Sequence, residues 1–282
     1  MSVLVVHRAE LVLVQDAGRP GRAAIGVGRS GAADRAAYEL GNRVVGNRPG
    51  AAALETVLGG LEVEAATTAW VCVTGAPAPL TVDGRPEQPG TVLALRAGQR
   101  LRLGVPPSGL RSYVAVRGGI AAPAVLGSRS RDTLAGIGPD QVRPGDRLEI
   151  GAEATEPLRV DAVPAGHYPA APVLRVVRGP RDAWVADAER LVSAAWTVAP
   201  DSDRVGLRLA GGRLSVHDPG RQLPSEGAVR GAIQVPPSGE PVVFGPDHPV
   251  TGGYPVVGVV VEADADRLAQ LRPGEPVRFR WA

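Results

Sequence analysis

Arg272-Pro273-Gly274-Glu275-Pro276-Val277-Arg278-Phe279 is a tight turn followed by residues that alternate between polar and apolar. Pro-Gly fits a type II turn, because proline fixes φ and glycine tolerates a positive φ. In the strand that follows, the alternation places Val277 and Phe279 on one buried face. Residues 96–103 and 143–150 have the same arrangement, with Leu101/Leu103 and Leu148/Ile150 as the apolar pairs. This recurring pattern predicts a mainly β protein.

The composition agrees with many short strands. The chain has 282 residues, with 37 Gly and 27 Pro, and such frequent turn residues are unusual for a helical protein. A length of 282 residues allows one large domain or two domains, at ~100–200 residues each. Residues 151–172 are rich in Ala, Pro and Glu without clear periodicity, which is typical of a linker. We therefore predict two β domains, residues 1–160 and residues 161–282.

Two short motifs occur in both halves. Val105-Pro106-Pro107-Ser108-Gly109 recurs as Val235-Pro236-Pro237-Ser238-Gly239, and Asp16-Ala17-Gly18-Arg19 resembles Asp201-Ser202-Asp203-Arg204. These echoes predict an internal duplication of a β-rich unit.

Helices are expected to be few. The best candidate is 33–45, which Ser30 or Asp34 could cap and Gly46-Asn47 would end. Residues 182–195 and 264–271 are two further candidates.

The basic residues exclude several kinds of chemistry. All 31 are arginine, because the sequence contains no lysine. A Schiff-base lysine, a P-loop lysine and a biotinylated lysine are therefore absent from this sequence. The net charge is only +2 and no basic tract is interleaved with aromatic residues, so we expect no nucleic-acid partner. The four histidines are scattered without metal-ligand spacing, so we also expect no metal site.

The cellular compartment is predicted from cysteine use and from hydropathy. Cys72 is the one cysteine, so no disulfide can form within the chain, which suits the cytoplasm. Residues 1–8 are too short and too polar at their flanks for a signal peptide. No apolar stretch approaches the ~20 residues of a membrane span. We expect a cytoplasmic protein without a membrane partner.

Two stretches carry residues suited to a binding site. Residues 15–34 combine closely spaced glycines with arginines, which allow close backbone approach and bidentate carboxylate recognition. Residues 225–255 hold polar side chains on loops fixed by Pro and Gly, as a preorganised pocket for a small polar ligand requires. The simpler alternatives are turn glycines with solvated arginines in the first stretch and hairpin turns in the second.

Both stretches contain motifs that resemble the allophanate hydrolase subunit 2 family, also called biotin-dependent carboxyltransferase-like or KipA-like, which includes the C subunit of 5-oxoprolinase. The resemblance extends in order over residues 11–279. One departure is Pro249-Val250, which replaces the first two residues of the family's Gln-Thr-Thr-Gly-Gly-Tyr-Pro run. The main matching motifs are Gln15-Asp16-x-Gly18-Arg19-Pro20-Gly21, Ser30-Gly31-Ala32-x-Asp34-Arg35, Leu126-Gly127-Ser128-Arg129-Ser130, Ser225-Glu226-Gly227 and Thr251-Gly252-Gly253-Tyr254-Pro255.

The resemblance implies a mainly β fold made of two cyclophilin-like β-barrel domains with a few short helices. It also implies an enzyme subunit that is not active alone, within an ATP-dependent 5-oxoprolinase that converts 5-oxoproline to glutamate. One implied partner is a KipI-like protein of the allophanate hydrolase subunit 1 type, the B component of 5-oxoprolinase. The other is a lactam-utilisation protein, its A component. ATP would be used by the complex, with no cofactor bound by this chain alone.

Two other functions fit the same resemblance. One is the carboxyltransferase component of a urea or amide carboxylase, which would need biotinyl domains elsewhere. The other is non-enzymatic: an antagonist of a KipI-like kinase inhibitor.

For a small amide or lactam substrate we predict three groups of site residues. Arg19 and Arg22 or Arg204 would bind a carboxylate or phosphate, with Ser30 near the helix start. Gln234, Ser238 and Thr251 would form hydrogen bonds with the amide, with Tyr254 beside them. Asp34, Glu55 or Asp247 would act as the acid or base, since burial can tune a carboxylate for that work near neutral pH.

Overall fold

The computed structural model describes residues 2–152, 156–158, 160–218, 220 and 223–282. These residues form two units, which are described separately. Unit 1 comprises Met1–Arg19, Ser30–Asp132 and Gly136–Tyr168. Unit 2 comprises Pro20–Arg29, Thr133–Ala135 and Pro169–Ala282. The main division therefore lies between residues 168 and 169, rather than between 160 and 161, and two short segments of the N-terminal half belong to unit 2.

Unit 1 is an open sheet in the form of a half-barrel. The strand order is β5-β4-β7-β2-β8-β3-β6, and β1 pairs with β2 and β9, so β5 and β6 are the two ends of this path. The strands are β1 (Val3–Gln15), β2 (Ala53–Ala65), β3 (Ala69–Gly75), β4 (Leu80–Val82), β5 (Arg85–Glu87), β6 (Leu93–Leu95), β7 (Arg100–Leu103), β8 (Arg111–Val116) and β9 (Arg147–Glu149).

The core of unit 1 follows from alternation along its strands. In the register of β2 with β7, Leu61 is opposite Leu103 and Val63 is opposite Leu101. All four side chains are at most 1% exposed. Burial of each leucine contributes roughly 1.5–3 kcal/mol. The period-two prediction for residues 96–103 is confirmed.

One helix packs on the sheet of unit 1. Helix α1 (Arg35–Val44) begins after Asp34, whose side chain accepts a hydrogen bond from the Ala37 backbone N–H. This is the N-cap that the sequence predicted, at one of the two residues considered. The hydroxyl of Thr74, on β3, donates to the Ala37 carbonyl at 2.7 Å. The cap and this contact together fix where the helix begins.

Unit 2 contains a closed barrel, and the mainly β class with few short helices is confirmed. The strand order is β10-β17-β14-β15-β12-β11-β18, and parallel pairing of β10 with β18 closes the barrel. Strands β13 and β16 pair separately. The strands are β10 (Val173–Arg178), β11 (Trp196–Val198), β12 (Gly206–Ala210), β13 (Glu226–Gly227), β14 (Ala232–Gln234), β15 (Val242–Phe244), β16 (Thr251–Gly252), β17 (Val256–Val260) and β18 (Pro276–Trp281).

The predicted helix over 182–195 is interrupted. Residues 182–184 form a 3-10 turn, and only Arg190–Ser193 (α2) is α-helical. The reason is that Val185 is extended and forms a β-bridge with Val216. The third predicted helix is observed as Glu262–Leu268 (α3). Another 3-10 turn covers Ala23–Ile25.

The core of unit 2 includes the strand that follows the Pro273-Gly274 turn. Val277 and Phe279 are 0% and 2% exposed, as the alternation predicted. They pack with Trp196, whose ring N–H donates to the Leu191 carbonyl at 2.9 Å. In unit 1 the corresponding pair, Leu148 and Ile150, is only partly buried.

The repeated Pro-Pro-Ser-Gly motif has similar backbone geometry at its glycine in both units. Gly109 and Gly239 have φ of 71° and 78°, which glycine adopts without steric cost. In unit 2 the motif joins β14 to β15, which pair with each other. In unit 1 it joins β7 to β8, and both of these strands pair with β2. The local echo is thus clear, while the strand pairing around it differs.

Cys72 provides a test of the core of unit 1. The thiol is 0% exposed, and burial raises its pKa to about 12. We expect the native protein to resist Ellman's reagent and the unfolded chain to react within minutes. Because the folded-state pKa is raised, this thiol's contribution to stability is constant below about pH 9 and falls as the pH rises from 9 towards 12. Rapid labelling of the native protein would contradict this placement, and Cys72→Ala should abolish the labelling of the unfolded chain.

Within the described residues, no helix is long and apolar enough to cross a bilayer.

Candidate functional site

The predicted site residues fall into two sets, one in each unit. Unit 1 contains Arg19, Ser30, Asp34 and Glu55. Unit 2 contains the others, which are Arg22, Arg204, Gln234, Ser238, Asp247, Thr251 and Tyr254.

In unit 1, Glu55 is the centre of a buried polar network. It lies on β2 directly opposite Tyr113 of β8 and is 1% exposed. Its Oε2 accepts hydrogen bonds from the Tyr113 hydroxyl at 2.8 Å and from the Ala33 backbone N–H at 2.9 Å. Its Oε1 lies 3.5 Å from Nε of Arg111. We call Asp34, Glu55, Arg111 and Tyr113 the Glu55 cluster.

Tyr113 connects two of the predicted acid/base carboxylates. Its hydroxyl donates to Glu55 and accepts the Asp34 backbone N–H at 2.7 Å. Burial raises the pKa of Tyr113 well above its usual value, and the charges of Glu55 and then Asp34 raise it further. The phenol therefore stays protonated. Asp34 has another function as well, because its carboxylate caps α1 and accepts the Tyr168 hydroxyl at 3.1 Å.

Arg19 is buried rather than open to a ligand. It is 1% exposed, and its guanidinium donates to the carbonyls of Ser130 and Val125. Nη1 lies 4.0 Å from Oδ2 of Asp132. Ser30 contacts the same loop, since its Oγ donates to the Arg131 carbonyl at 3.3 Å. In this structure both side chains hold the 125–132 loop, and their contact with a substrate stays a prediction.

Asp16 joins two of the motifs that carry the family resemblance. Its Oδ1 accepts from Ser128 Oγ and Ser130 Oγ, both at 2.6 Å, and from the Gly18 backbone N–H. Its Oδ2 accepts from the Arg129 backbone N–H at 2.6 Å. One buried carboxylate thus holds the Gln-Asp-x-Gly-Arg segment and the Gly-Ser-Arg-Ser segment together.

In unit 2, three of the predicted amide-binding residues are brought together. Gln234 ends β14, is 7% exposed, and donates from Nε2 to the Tyr254 carbonyl at 3.3 Å. A Cβ on Gly252 would lie 2.3 Å from the same Nε2, so β16 passes directly over this amide. Thr251 and Tyr254 flank that glycine with exposed side chains. We call Gln234 with residues 251–254 the Gln234 cluster.

An ion pair anchors the two-stranded sheet of β13 and β16, which carries part of the Gln234 cluster. Glu226 of β13 is opposite Gly252 of β16, and its carboxylate accepts from Nε and Nη2 of Arg181. This hydrogen bonding lowers the pKa of Glu226 below its usual value. The carboxylate is therefore ionised and occupied, which suits an anchor better than a proton donor.

Asp247 forms a buried pair with Arg204. Its Oδ2 accepts from Arg204 Nε at 2.8 Å and from the backbone N–H and hydroxyl of Thr133 at 2.9 and 2.8 Å, while Oδ1 accepts from Arg204 Nη2 at 3.1 Å. Asp247 is 1% exposed and Arg204 is 6% exposed. Four donors stabilise the charged form of this carboxylate. This geometry suits a carboxylate that holds Arg204 and Thr133 in place, and proton transfer by Asp247 stays a prediction.

Arg22 and Ser238 lie on the surface. Arg22 precedes the 3-10 turn at 23–25 and is exposed. Ser238 lies in an exposed turn, where its Oγ accepts the Glu240 backbone N–H at 3.4 Å. Among the described residues of unit 2, no hydrogen bond links either side chain to the Gln234 cluster.

Sequence reasoning missed Arg111, Tyr113, Thr133 and Arg181. The signal for the first two was a polar pattern, Arg111-Ser112-Tyr113, inside a strand in which every residue is buried. Buried polar side chains require partners, so such a strand indicates a network. Within the described part of the chain, no three His, Cys, Asp or Glu side chains are grouped so as to hold a metal ion.

A family model described as "Carboxyltransferase domain, subdomain A and B" matches residues 25–281. The chain is 36% identical to the 5-oxoprolinase C subunit of Escherichia coli (strain K12), over 98% of this chain and 89% of that protein. It is 34% identical to the 5-oxoprolinase C subunit of Haemophilus influenzae, over 94% and 86%. It is also 32% identical to a putative urea carboxylase of Emericella nidulans, over 99% of this chain but 24% of that protein.

Solved structures have the same fold. The crystal structure of TTHA0988 superposes with a TM-score of 0.89 at 35% identity, over 99% of this chain and 55% of that one. The Kluyveromyces lactis urea carboxylase superposes with a TM-score of 0.89 at 27% identity, over 99% of this chain and 27% of that one. The chain thus spans about half the length, or less, of these two solved structures.

Proposed function

The chain belongs to the family of carboxyltransferase domains with subdomains A and B, and on this basis we propose that it is a subunit of an ATP-dependent 5-oxoprolinase that opens 5-oxoproline to glutamate. Its similarity to the two 5-oxoprolinase C subunits takes in nearly the whole of each of them. Both proteins are named as subunits, which supports a reaction that is shared among several chains. The partners would be a KipI-like protein and a lactam-utilisation protein.

The observation that carries the site is the position of the Gln234 carboxamide. Its Nε2 uses one N–H on the Tyr254 carbonyl, and its Oε1 accepts no hydrogen bond from any described residue. A lactam presents an N–H and a C=O side by side. The carboxamide can match both groups, by accepting through Oε1 and donating through its second N–H. A small amide is therefore the substrate class that suits the Gln234 cluster.

The chemistry must be shared with other chains under this proposal. The sequence has no lysine, so it contains no P-loop lysine for the phosphates of ATP. What this chain supplies is binding and orientation of the amide. Positioning a reactant in this manner accounts for a large part of many rate enhancements.

A second candidate function is the carboxyltransferase component of a urea or amide carboxylase. It is favoured by the 32% identity to a putative urea carboxylase over 99% of this chain. Urea also presents adjacent N–H and C=O groups, so the Gln234 carboxamide would bind it in the same way. Biotin would have to be carried by another domain, because this sequence has no lysine to attach it.

The test is reconstitution. The chain would be co-expressed with a KipI-like protein and a lactam-utilisation protein, and ATP-dependent glutamate release from 5-oxoproline would be measured. We expect activity from the three proteins together and none when this chain is omitted. Unchanged activity after omission would overturn the proposal. Carboxylation of urea in the presence of a biotin carboxylase, without glutamate release, would favour the second function.

Gly252→Ala tests the Gln234 cluster within this function. The added methyl group would displace the Gln234 carboxamide, which is the end of a flexible side chain, so the fold should survive. We expect kcat/KM of the complex to fall by about 10- to 100-fold. The matched control is Gly227→Ala on the paired strand, where an added Cβ meets nothing within 4 Å. Equal activity of the two variants would show that the Gln234 carboxamide does not contact substrate.

A further inference from the structure

A groove at the open side of unit 1 shares no residue with the Glu55 cluster. It has a volume of about 520 Å³, within the ~300–1,000 Å³ of small-molecule sites. Its walls come from the two end strands of the sheet, β5 and β6, and from the turns next to them. The residues that line it are Val82, Asp83, Arg85, Glu87, Val92, Leu93, Ala94, Arg96 and Gln99.

The floor of this groove is held in place by hydrogen bonds. Gln99 accepts from the Arg96 backbone N–H at 2.9 Å and donates to Asp83 at 3.0 Å. Asp83 also accepts from the Arg100 backbone N–H at 2.9 Å, and these two bonds lower its pKa below the usual range. Asp83 and Gly84 have φ of 50° and 78°, as in a rigid two-residue type I′ hairpin. The groove is therefore preorganised, which reduces the entropic cost of binding.

Three charged side chains on the walls have no direct partner. The side chains of Arg85, Glu87 and Arg96 form no hydrogen bond or ion pair with any residue that the structure describes, although Arg85 is near enough to Asp83 to help lower its pKa. Asp83 itself is occupied by its two donors. The groove thus offers two cations and one anion to a ligand.

The edge of β5 disfavours an extended peptide as the occupant. Arg85 flanks the two-residue turn opposite Val82, so its backbone groups point towards β4 and those of Pro86 point towards the open edge. Proline has no N–H, so this edge can offer a carbonyl but no donor. A peptide strand that paired with β5 at this edge would lack half of its inter-strand hydrogen bonds. Recognition by side chains of a small molecule fits this edge better.

We propose that the groove binds an acidic α-amino acid, with its two carboxylates on Arg85 and Arg96 and its ammonium group on Glu87. A dicarboxylic amino acid carries two negative charges and one positive charge, which complements the three unpaired side chains. Arginine is suited to carboxylates because its fork can donate two parallel hydrogen bonds. Under the proposed function glutamate is the product of the complex, and the groove would then act as a sensor of that product. Only this sensing role rests on the proposed function.

The experiment is calorimetric titration of the full chain with L-glutamate, glutarate and inorganic phosphate. We expect saturable binding of glutamate, weakened about tenfold by Arg85→Gln or by Arg96→Gln. The control Arg102→Gln removes the same charge from an exposed position on β7 that does not line the groove, and should leave binding unchanged. Glu87→Gln should weaken binding of glutamate but not of glutarate, which has no ammonium group.

Three results would overturn the proposal: no saturable binding, equal weakening by Arg102→Gln, or phosphate binding as tight as glutamate binding. Each of these is read from the chain alone, without its partners. If the chain does not bind glutamate, the measurement of glutamate release by the complex still tests the proposed function. Conversely, a complex without 5-oxoprolinase activity would leave the binding result standing.

Discussion

Asp247→Ala is expected to lower the free energy of unfolding of unit 2 by about 3–5 kcal/mol. Arg204, which is 6% exposed in the native protein, loses the carboxylate that accepts from its guanidinium. It also removes the acceptor of the Thr133 backbone N–H and hydroxyl. Breaking one side of a buried ion pair is costly because the remaining charge is desolvated without compensation. Urea denaturation followed by tryptophan fluorescence measures the change, since three of the four tryptophans, including the buried Trp196, lie in this unit.

The control for this prediction is Asp201→Ala. Asp201 pairs with Arg208 at 3.0 Å, but the two side chains are 69% and 56% exposed, so the expected change is below about 1 kcal/mol. The double variant Arg204→Met/Asp247→Leu should recover part of the loss, because it removes both charges and keeps apolar volume but does not restore the acceptor of Thr133. Equal effects of Asp247→Ala and Asp201→Ala would contradict the buried pair.

The strands were predictable because their signal is local. Alternation with period two places Leu101, Leu103, Val277 and Phe279 in the two cores, and all four are at most 2% exposed. The cap of α1 was predictable for the same reason, since Asp34 needs only the next turn of chain to act. Side-chain period and capping depend on neighbours within a few residues.

The division of the chain into two units was harder to predict from the sequence. Residues 20–29 and 133–135 belong to unit 2 although unit 1 surrounds them in sequence. Their assignment depends on contacts such as that of Thr133 with Asp247, which are 114 residues apart. No periodicity encodes such a pairing. Whether the sheet of each unit closes into a barrel likewise depends on pairing between strands that are far apart in sequence.

Part of the spatial arrangement of the candidate residues could be predicted from the sequence. Gln234, Thr251 and Tyr254 were proposed together and lie together, because β14 ends where the 251–254 segment passes. Arg19 was expected to face a ligand, and it is buried against carbonyls of a loop more than 100 residues away. A guanidinium has five donors, and the sequence cannot say whether a substrate or the backbone accepts from them.

Glu55→Ala is expected to destabilise unit 1 by about 3–5 kcal/mol. The carboxylate accepts from Tyr113 and Ala33 and faces Arg111, which is 6% exposed. Its removal takes away the acceptor of two buried donors and the carboxylate that faces the Arg111 cation. The control is Glu62→Ala on the same strand, since Glu62 faces the half-exposed Arg100 at 3.7 Å and should contribute less than about 1 kcal/mol. Hydrogen exchange of the β2 amides separates this loss from changes in unit 2.

Glu55→Gln then separates stability from catalysis, because the amide keeps the shape of the carboxylate and loses its charge. If Glu55 is the acid or base of the complex, this variant should fold and its kcat should fall by about 10²- to 10⁴-fold with little change in KM. Tyr113→Phe removes the hydroxyl that holds Glu55 at 2.8 Å, and should lower kcat less than Glu55→Gln does. A Glu55→Gln complex with wild-type kcat would assign Glu55 to structure alone. The Glu55 cluster would then resemble the Asp247 pair: a buried carboxylate whose donors fix the backbone around a site, without touching the substrate.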